Sequence, residues 1–255
     1  MNKTQKNEKS LFCHITGGDP DPAQSREYIA AALQAGIDGI ILGIPFSDPI
    51  AEGLLLQEAD LRALSAGTTP DTVIHLAAFV RRQADLPLYL QSYINPLYKY
   101  GIDAFFARCK EAGVDGIILL DVPYEQKDDV QSAAKRCGIS VISIIAPAGK
   151  ERMQKIARDA EGFLYILPSM CHAGDMQNIQ KDLSNILEGV RPVTSIPILA
   201  ALEDVSPAQA AEIADVADGI LLGNAVAAIT AAHKDSAADA IAAYIQSVKQ
   251  SMAQM

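Results

Sequence analysis

The chain contains no tryptophan, and phenylalanine and tyrosine together make up only 5% of its 255 residues. Single-stranded nucleic acids are held by bases stacking on aromatic side chains, so this composition offers no stacking platform. Positive charge is also scarce, because 21 lysines and arginines face 31 aspartates and glutamates and leave a net charge of −10. Binding to a phosphate backbone requires a basic surface. We therefore expect no nucleic-acid partner.

Membrane and metal signals are missing as well. No hydrophobic run approaches the roughly 20 residues that span a bilayer, and the polar N-terminus, MNKTQKNEKS, lacks the apolar region of a signal peptide. The four cysteines and four histidines are scattered, with neither CxxC nor HExxH spacing. We expect a cytoplasmic protein with free thiols, no membrane segment, no metal and no cofactor of its own.

Short, β-branched hydrophobic runs alternate with amphipathic stretches along the whole chain. Such runs are typical of parallel strands that are buried on both faces. Eight strand–helix units predict one domain over residues 1–255, a (β/α)8 TIM barrel. A doubly wound open sheet is the alternative, but no glycine-rich dinucleotide fingerprint follows the first run. The predicted strands are 11–16, 39–42, 86–91, 116–120, 141–145, 163–167, 196–200 and 219–222.

Local signals predict where several helices begin. Asp21 precedes Pro22 and Ser206 precedes Pro207, and both acid and hydroxyl side chains are typical N-terminal helix caps. The alanine-rich segment 225–255 predicts one last helix, packed outside the first strands.

A specific motif follows the second predicted strand, where residues 42–53 read LGIPFSDPIAEG. Chemistry in these barrels lies at the carboxyl ends of the strands, so this loop belongs to the face that carries the active site. Further segments that accompany the motif, in order, are TGGDP at 16–20, QEADLRALSAG at 57–67, SYINP at 92–96, GIDAF at 101–105, AGVDG at 112–116, DVP at 121–123 and FLY at 163–165.

Together these segments resemble the tryptophan synthase α family over essentially the whole chain. The resemblance implies a lyase that cleaves indole-3-glycerol phosphate into indole and glyceraldehyde 3-phosphate without a cofactor. It also implies, as a possible partner, a PLP-dependent β-like subunit that receives the indole. Two carboxylates serve the family's reaction, one on the second strand and one in the loop that follows it.

This chain departs from the family at both carboxylates. Ile41 stands at the position of the strand carboxylate and carries no proton. General acid–base catalysis typically contributes about 10²–10⁴-fold per group, so we expect the family's reaction to be severely impaired. Glu52 replaces the loop aspartate and keeps the acid with one more methylene. A loop glutamate is usually solvated, but the motif predicts that Glu52 points into the site.

The remaining candidates lie at the carboxyl ends of other strands. His14 replaces a family aromatic residue, and its unperturbed pKa suits proton transfer near neutrality; the alternative is a satisfied core histidine. Asp121 is either a ligand contact or a helix cap. Glu203 stands where the family has a phosphate-binding glycine, so it either turns outward or rejects phosphate. The predicted catalytic residues are Glu52, Tyr165 and His14, and the predicted substrate-binding residues are Gln91, Asp121, Gly174, Glu203, Gly223 and Asn224.

Three functions remain open on this basis. The first is a repurposed lyase or related enzyme for a different, polar and unphosphorylated small molecule, since pocket residues changed to other polar groups. The second is a catalytically silent α-like subunit that binds and regulates a PLP-dependent β-like partner. It rests on the retained PFSDP and 57–67 segments, which resemble the family's subunit-contact region. The third is residual cleavage of indole-3-glycerol phosphate with Glu52 alone.

Overall fold

The computed structural model describes residues 9–167, 176–202, 206–233 and 236–254. In these ranges the strands are parallel and close into a barrel in chain order, each pairing with the next and the last with the first. The predicted (β/α)8 barrel is thus confirmed. The strands are β1 (Ser10–Thr16), β2 (Gly39–Gly43), β3 (Leu88–Ser92), β4 (Gly116–Leu119), β5 (Ser140–Ile145), β6 (Leu164–Ile166), β7 (Ile198–Leu202) and β8 (Gly219–Leu222).

Helices surround this barrel and begin where the sequence places capping residues. The Asp21 carboxylate accepts hydrogen bonds from the N–H groups of Ala23 and Gln24, and Ser206 forms a reciprocal capping box with Gln209. In the described ranges no helix has the length and apolar character of a membrane span. The helices are α1 (Pro22–Gln34), α2 (Leu54–Ser65), α3 (Pro70–Gln83), α4 (Ile94–Tyr100), α5 (Ile102–Glu111), α6 (Asp128–Arg136), α7 (Lys150–Arg158), α8 (Met176–Val190), α9 (Pro207–Val216), α10 (Asn224–His233) and α11 (Ala237–Ala253).

The prediction of a single C-terminal helix over residues 225–255 is wrong, because the structure has two helices there. α10 ends at His233 and packs against β1 and α2, whereas α11 begins at Ala237 and packs against α1 and α9. The polar run HKDS at 233–236 interrupts the alanine-rich pattern. The Ser236 hydroxyl donates to the carbonyl of His233 (3.1 Å), which satisfies an otherwise free oxygen at the helix end.

The strands separate two hydrophobic cores because successive side chains point to opposite faces. On β1, Leu11, Cys13 and Ile15 pack outward against the helices, whereas Phe12 packs into the barrel. His14 shares the inward face of this strand and lines a cavity at the carboxyl end of the barrel. The alternation on one strand therefore fixes which residues can meet a ligand.

Three aromatic rings fill the amino end of the barrel. The Phe163 ring lies 5.8 Å from that of Phe12 and 5.0 Å from that of Tyr89. Glycines make room for these rings, because a Cβ atom at Gly39 would come within 2.2 Å of the Phe12 ring and one at Gly116 within 2.9 Å of the Tyr89 ring. Cavities that can admit a ligand are therefore to be sought at the carboxyl end.

We expect Gly116→Ala to lower the free energy of unfolding by about 1–3 kcal/mol, because the new methyl group overpacks the ring layer. Its Cβ would also lie 2.8 Å from the carbonyl oxygen of Ser140, which belongs to the backbone and cannot yield easily. Gly149→Ala is the matched control, since Gly149 has a φ of −60° and open space around it. Urea unfolding of both variants measures the difference, and equal midpoints would contradict this account of the barrel floor.

Candidate active site

A cavity of about 70 Å3 lies at the carboxyl end of the barrel, above the inner apolar core. It brings together six of the nine residues that the sequence predicts for the site: His14, Glu52, Gln91, Tyr165, Gly223 and Asn224. We call it the central cavity. Its other described lining residues are Ala51, Gly53, Leu56, Leu120, Leu167, Ala201, Leu202 and Leu221.

Glu52 points into the central cavity and is held there by two side chains. The amide of Gln91, on β3, donates to Oε1 of Glu52 (2.9 Å), and the Tyr93 hydroxyl donates to Oε2 (3.5 Å). The same hydroxyl accepts the N–H of Ala51 (3.0 Å), so it fixes the loop as well as the carboxylate. The orientation agrees with the expectation from the motif, and the catalytic role of Glu52 stays a prediction.

Burial raises the pKa of Glu52 to about 7, and the hydrogen bonds from Gln91 and Tyr93 offset only part of this effect. A carboxyl group with a pKa near neutrality is present in both protonation states. It can therefore accept a proton in one step and return it in the next, which an ordinary surface glutamate does poorly at pH 7.

Asp60 is a second buried acid that the sequence reasoning missed. It lies on the inner face of α2, and its Oδ2 accepts the N–H of Phe46 (3.2 Å). Burial, together with the negative charge of Glu52, raises the pKa of Asp60 to about 8. Nearby, Asp19 forms a two-bond ion pair with Arg62 (2.7 and 2.9 Å). The helical spacing of Ala59, Asp60 and Ala63 was the signal that could have placed this acid on a buried face.

His14 is buried, and neither ring nitrogen has a hydrogen-bond partner among the described residues. The sequence suggested a group that titrates near neutrality, but burial lowers the pKa of His14 to about 4. The imidazole is therefore neutral at pH 7 and offers one donor and one acceptor to a ligand. Oε1 of Gln91 likewise lacks a described partner. Glycine at position 43 leaves the imidazole accessible, because a Cβ there would come within 2.8 Å of Nε2 of His14.

Ile41 is fully buried in the inner apolar cluster, paired with His14 on β1 and Tyr89 on β3. The described lining of the central cavity thus has Glu52 as its acid and no carboxylate from β2. Tyr165 belongs to the inner apolar cluster and also lines the central cavity.

The other predicted residues lie elsewhere. Asp121 is exposed and lines a neighbouring cavity. Its Oδ1 accepts the N–H of Ile94 (2.9 Å) at the start of α4, a contact that corresponds to the helix-cap alternative. Its role in substrate binding stays a prediction. Gly174 and Glu203 lie outside the described residues. Tyr93 was noted only as part of a motif, and its contact with Glu52 depends on how the loop folds over β3.

Comparison with known proteins gives consistent matches over the whole chain. The family model described as tryptophan synthase alpha chain matches residues 1–255. The tryptophan synthase alpha chain of Lacticaseibacillus casei is 34% identical over 244 residues, which are 96% of this chain and 92% of that protein. Tryptophan synthase subunit alpha from Legionella pneumophila str. Paris has a TM-score of 0.88 at 31% identity, covering 97% of this chain and 94% of the other. A chain of the tryptophan synthase complex from Pyrococcus furiosus has a TM-score of 0.84 at 26% identity, covering 94% and 97%.

The raised pKa of Glu52 predicts a pH-dependent stability. Between pH 4.5, which is the ordinary pKa of a glutamate, and about pH 7, the folded protein binds more protons than the unfolded chain. Its free energy of unfolding therefore falls as the pH rises through this window. Glutamine carries no charge that must be buried, so we expect Glu52→Gln to be more stable than the unmodified protein at pH 8, by on the order of 1–3 kcal/mol. Urea unfolding at pH 5 and pH 8 measures it, with Glu58→Gln on the exposed face of α2 as control. A pH dependence unchanged by Glu52→Gln would refute the assignment.

Proposed function

This chain belongs to the tryptophan synthase alpha chain family, and we propose that its central cavity performs carbon–carbon lyase chemistry on a small, polar, unphosphorylated substrate. The observation that carries the proposal is the buried carboxyl group of Glu52, held by Gln91 and Tyr93, with a pKa of about 7. Buried acids with such shifted pKa values in a cavity are typical of proton-transfer sites.

The proposed chemistry uses this one acid twice. Breaking a carbon–carbon bond in the retro-aldol sense removes a proton from a hydroxyl group and delivers one to the departing carbon. Glu52 accepts the first proton as a carboxylate and donates it as a carboxylic acid. Neutral His14 and Tyr165 supply hydrogen bonds that orient polar groups of the substrate. Since Ile41 contributes no acid, a single group carries both transfers, and we expect slower turnover than a two-acid site gives.

The electrostatics of the cavity favour a substrate without phosphate. Its described lining holds no lysine or arginine, and Glu52 adds a negative charge when ionised. Arg62, on the adjacent helix, is already paired with Asp19. A carboxylate about 4 Å from a phosphate charge costs on the order of 4 kcal/mol per charge pair at an effective dielectric near 20. An uncharged hydroxyl-bearing substrate avoids this repulsion.

Indole-3-glycerol and its phosphate form a matched pair for testing this function. We expect indole to be released faster from the unphosphorylated compound, because only the phosphate is repelled by the Glu52 carboxylate. Glu52→Gln should lower that rate by about 10²–10⁴-fold, whereas Glu58→Gln should not change it. Faster, Glu52-dependent release from the phosphate would instead support residual family activity. No turnover and no binding of either compound would refute the assignment of both as substrates.

A second candidate function is favoured by an exposed apolar face on the same segment. Ile50, Leu54 and Leu61 are 85%, 69% and 66% exposed, whereas the opposite face of α2 is buried. Leu54 and Leu61 are seven residues apart and so lie on one side of the helix. Clustered exposed apolar residues mark protein-binding surfaces more than single ones do. This face fits the second function, a subunit that binds and regulates a PLP-dependent β-like partner.

We expect the double variant Leu54→Asp, Leu61→Asp to bind a PLP-loaded tryptophan synthase β subunit at least about tenfold more weakly than the unmodified chain does, since buried apolar anchors dominate such contacts. Val216→Asp is the control, because Val216 is an exposed apolar residue (44%) on the distant helix α9. Isothermal titration calorimetry measures the affinity. Equal weakening by the control, or no binding by the unmodified chain, would remove the support for this surface.

A further inference from the structure

The ladder between β4 and β5 ends before β5 reaches its carboxyl end. The two strands pair from Gly116 with Ser140 to Ile118 with Ile142, and β4 then ends at Leu119. β5 continues to Ile145, and its last three residues pair with β6 on its other side. Beyond Ile142 the two strands therefore have no ladder between them, and a cavity of about 350 Å3 lies at this gap. We call it the lateral cavity.

The lateral cavity is lined mainly by apolar side chains. It shares Leu120 with the central cavity and reaches outward to helix α7. Ligand cavities in proteins typically measure about 300–1,000 Å3, so this one accommodates a fused two-ring compound. The apolar lining includes Leu119, Leu120, Ile142, Ile144, Met153 and Ile156.

Lys127 brings a positive charge to this apolar lining. This residue is only 9% exposed, and its ammonium group lies 4.4 Å from the centre of the Tyr124 ring. No carboxylate of the described residues lies within ion-pair distance of it. Lysines are almost never this buried without a partner, and a cation–π contact offsets only part of the lost hydration. The ammonium group therefore favours an anion beside it.

The other charges on the lining are already engaged. Arg152 forms two hydrogen bonds with Glu125, which neutralises it. Asp121 turns Oδ1 to the N–H of Ile94. Lys127 is thus the positive charge on the described lining without a carboxylate partner, and the Asp121 carboxylate lies on the same lining. This arrangement suits a ligand with a single negative charge better than a phosphate dianion.

We propose that the lateral cavity binds an apolar ring compound carrying one carboxylate, with the rings between β4 and β5 and the carboxylate beside Lys127. The site is separate from Glu52 and does not rest on the function proposed for the central cavity. It gives the protein a place for an aromatic acid as effector or second substrate.

The charge requirement can be tested on the unmodified protein. Calorimetric titration compares 1-naphthylacetate with 1-naphthylacetamide, which has the same rings and no charge. We expect the acid to bind at least about tenfold more tightly, since a hydrogen bond between charged groups is stronger than a neutral one. Equal affinities for acid and amide would overturn the proposal.

The residue can be tested with a matched pair of variants. Lys127→Gln should abolish the preference for the acid and leave amide binding unchanged. Lys155→Gln is the control, because the Lys155 ammonium lies 5.4 Å from the same Tyr124 ring but does not line the lateral cavity. It should leave the acid's affinity within about twofold. An equal loss in both variants would overturn the assignment to Lys127.

A third variant distinguishes the two cavities. Glu52→Gln changes the central cavity alone, so naphthylacetate should bind it as it binds the unmodified protein. Tighter binding by Glu52→Gln, with unchanged binding by Lys127→Gln, would place the anionic probe beside Glu52 in the central cavity and overturn the proposal. Thermal unfolding of each variant verifies the fold, and if Lys127→Gln unfolds, the comparison of acid with amide decides the question.

Discussion

Filling the interior of a closed barrel is the constraint on which the rest of this structure depends. Inward side chains must occupy that space, and here three aromatic rings do so at the amino end, seated over glycines 39 and 116. Ile41 and its apolar neighbours continue the filling upward. What remains unfilled lies at the carboxyl end, so polar groups such as His14 and Gln91 can face a cavity there without interrupting the packed interior.

One short segment connects the two functions proposed for the molecule. Glu52 faces the central cavity, whereas Ile50 and Leu54, two residues away on either side, face outward and are exposed. The Tyr93 hydroxyl contacts both the Glu52 carboxyl and the backbone of Ala51, so it ties this segment to β3. A protein bound to the outer face would therefore touch residues only two positions from the buried acid. The proposed catalytic acid and the proposed partner-binding face thus share one stretch of backbone and lie on opposite sides of it.

The fold was predictable because it depends on patterns that the chain carries locally. Buried parallel strands give continuous apolar runs, and caps such as Asp21 and Ser206 mark helix starts. The C-terminal segment was predicted wrongly because alanine-rich helices look alike on both sides of a short polar break. At the site, residue identity was predictable and electrostatics were not. Burial disfavours the charged form of each group, so it lowers the pKa of the base His14 and raises that of the acid Glu52. Which side chains are buried is known only from the closed barrel. Asp60 escaped notice because its motif surroundings suggested a subunit contact. Gly174 and Glu203 stay predictions.

Glycine 43 has a further consequence. The space beside the His14 imidazole exists because Gly43, which is paired with Thr16 on β1, has only a hydrogen where other residues have a Cβ atom. In evolutionary terms a single mutation of Gly43 to alanine would place a methyl group against the imidazole. The same mutation would leave Glu52, Gln91 and the loop motif at 42–53 otherwise unchanged in sequence. The proposed chemistry can thus be lost through a residue that has no functional side chain, and a comparison restricted to acids and bases would not detect the change.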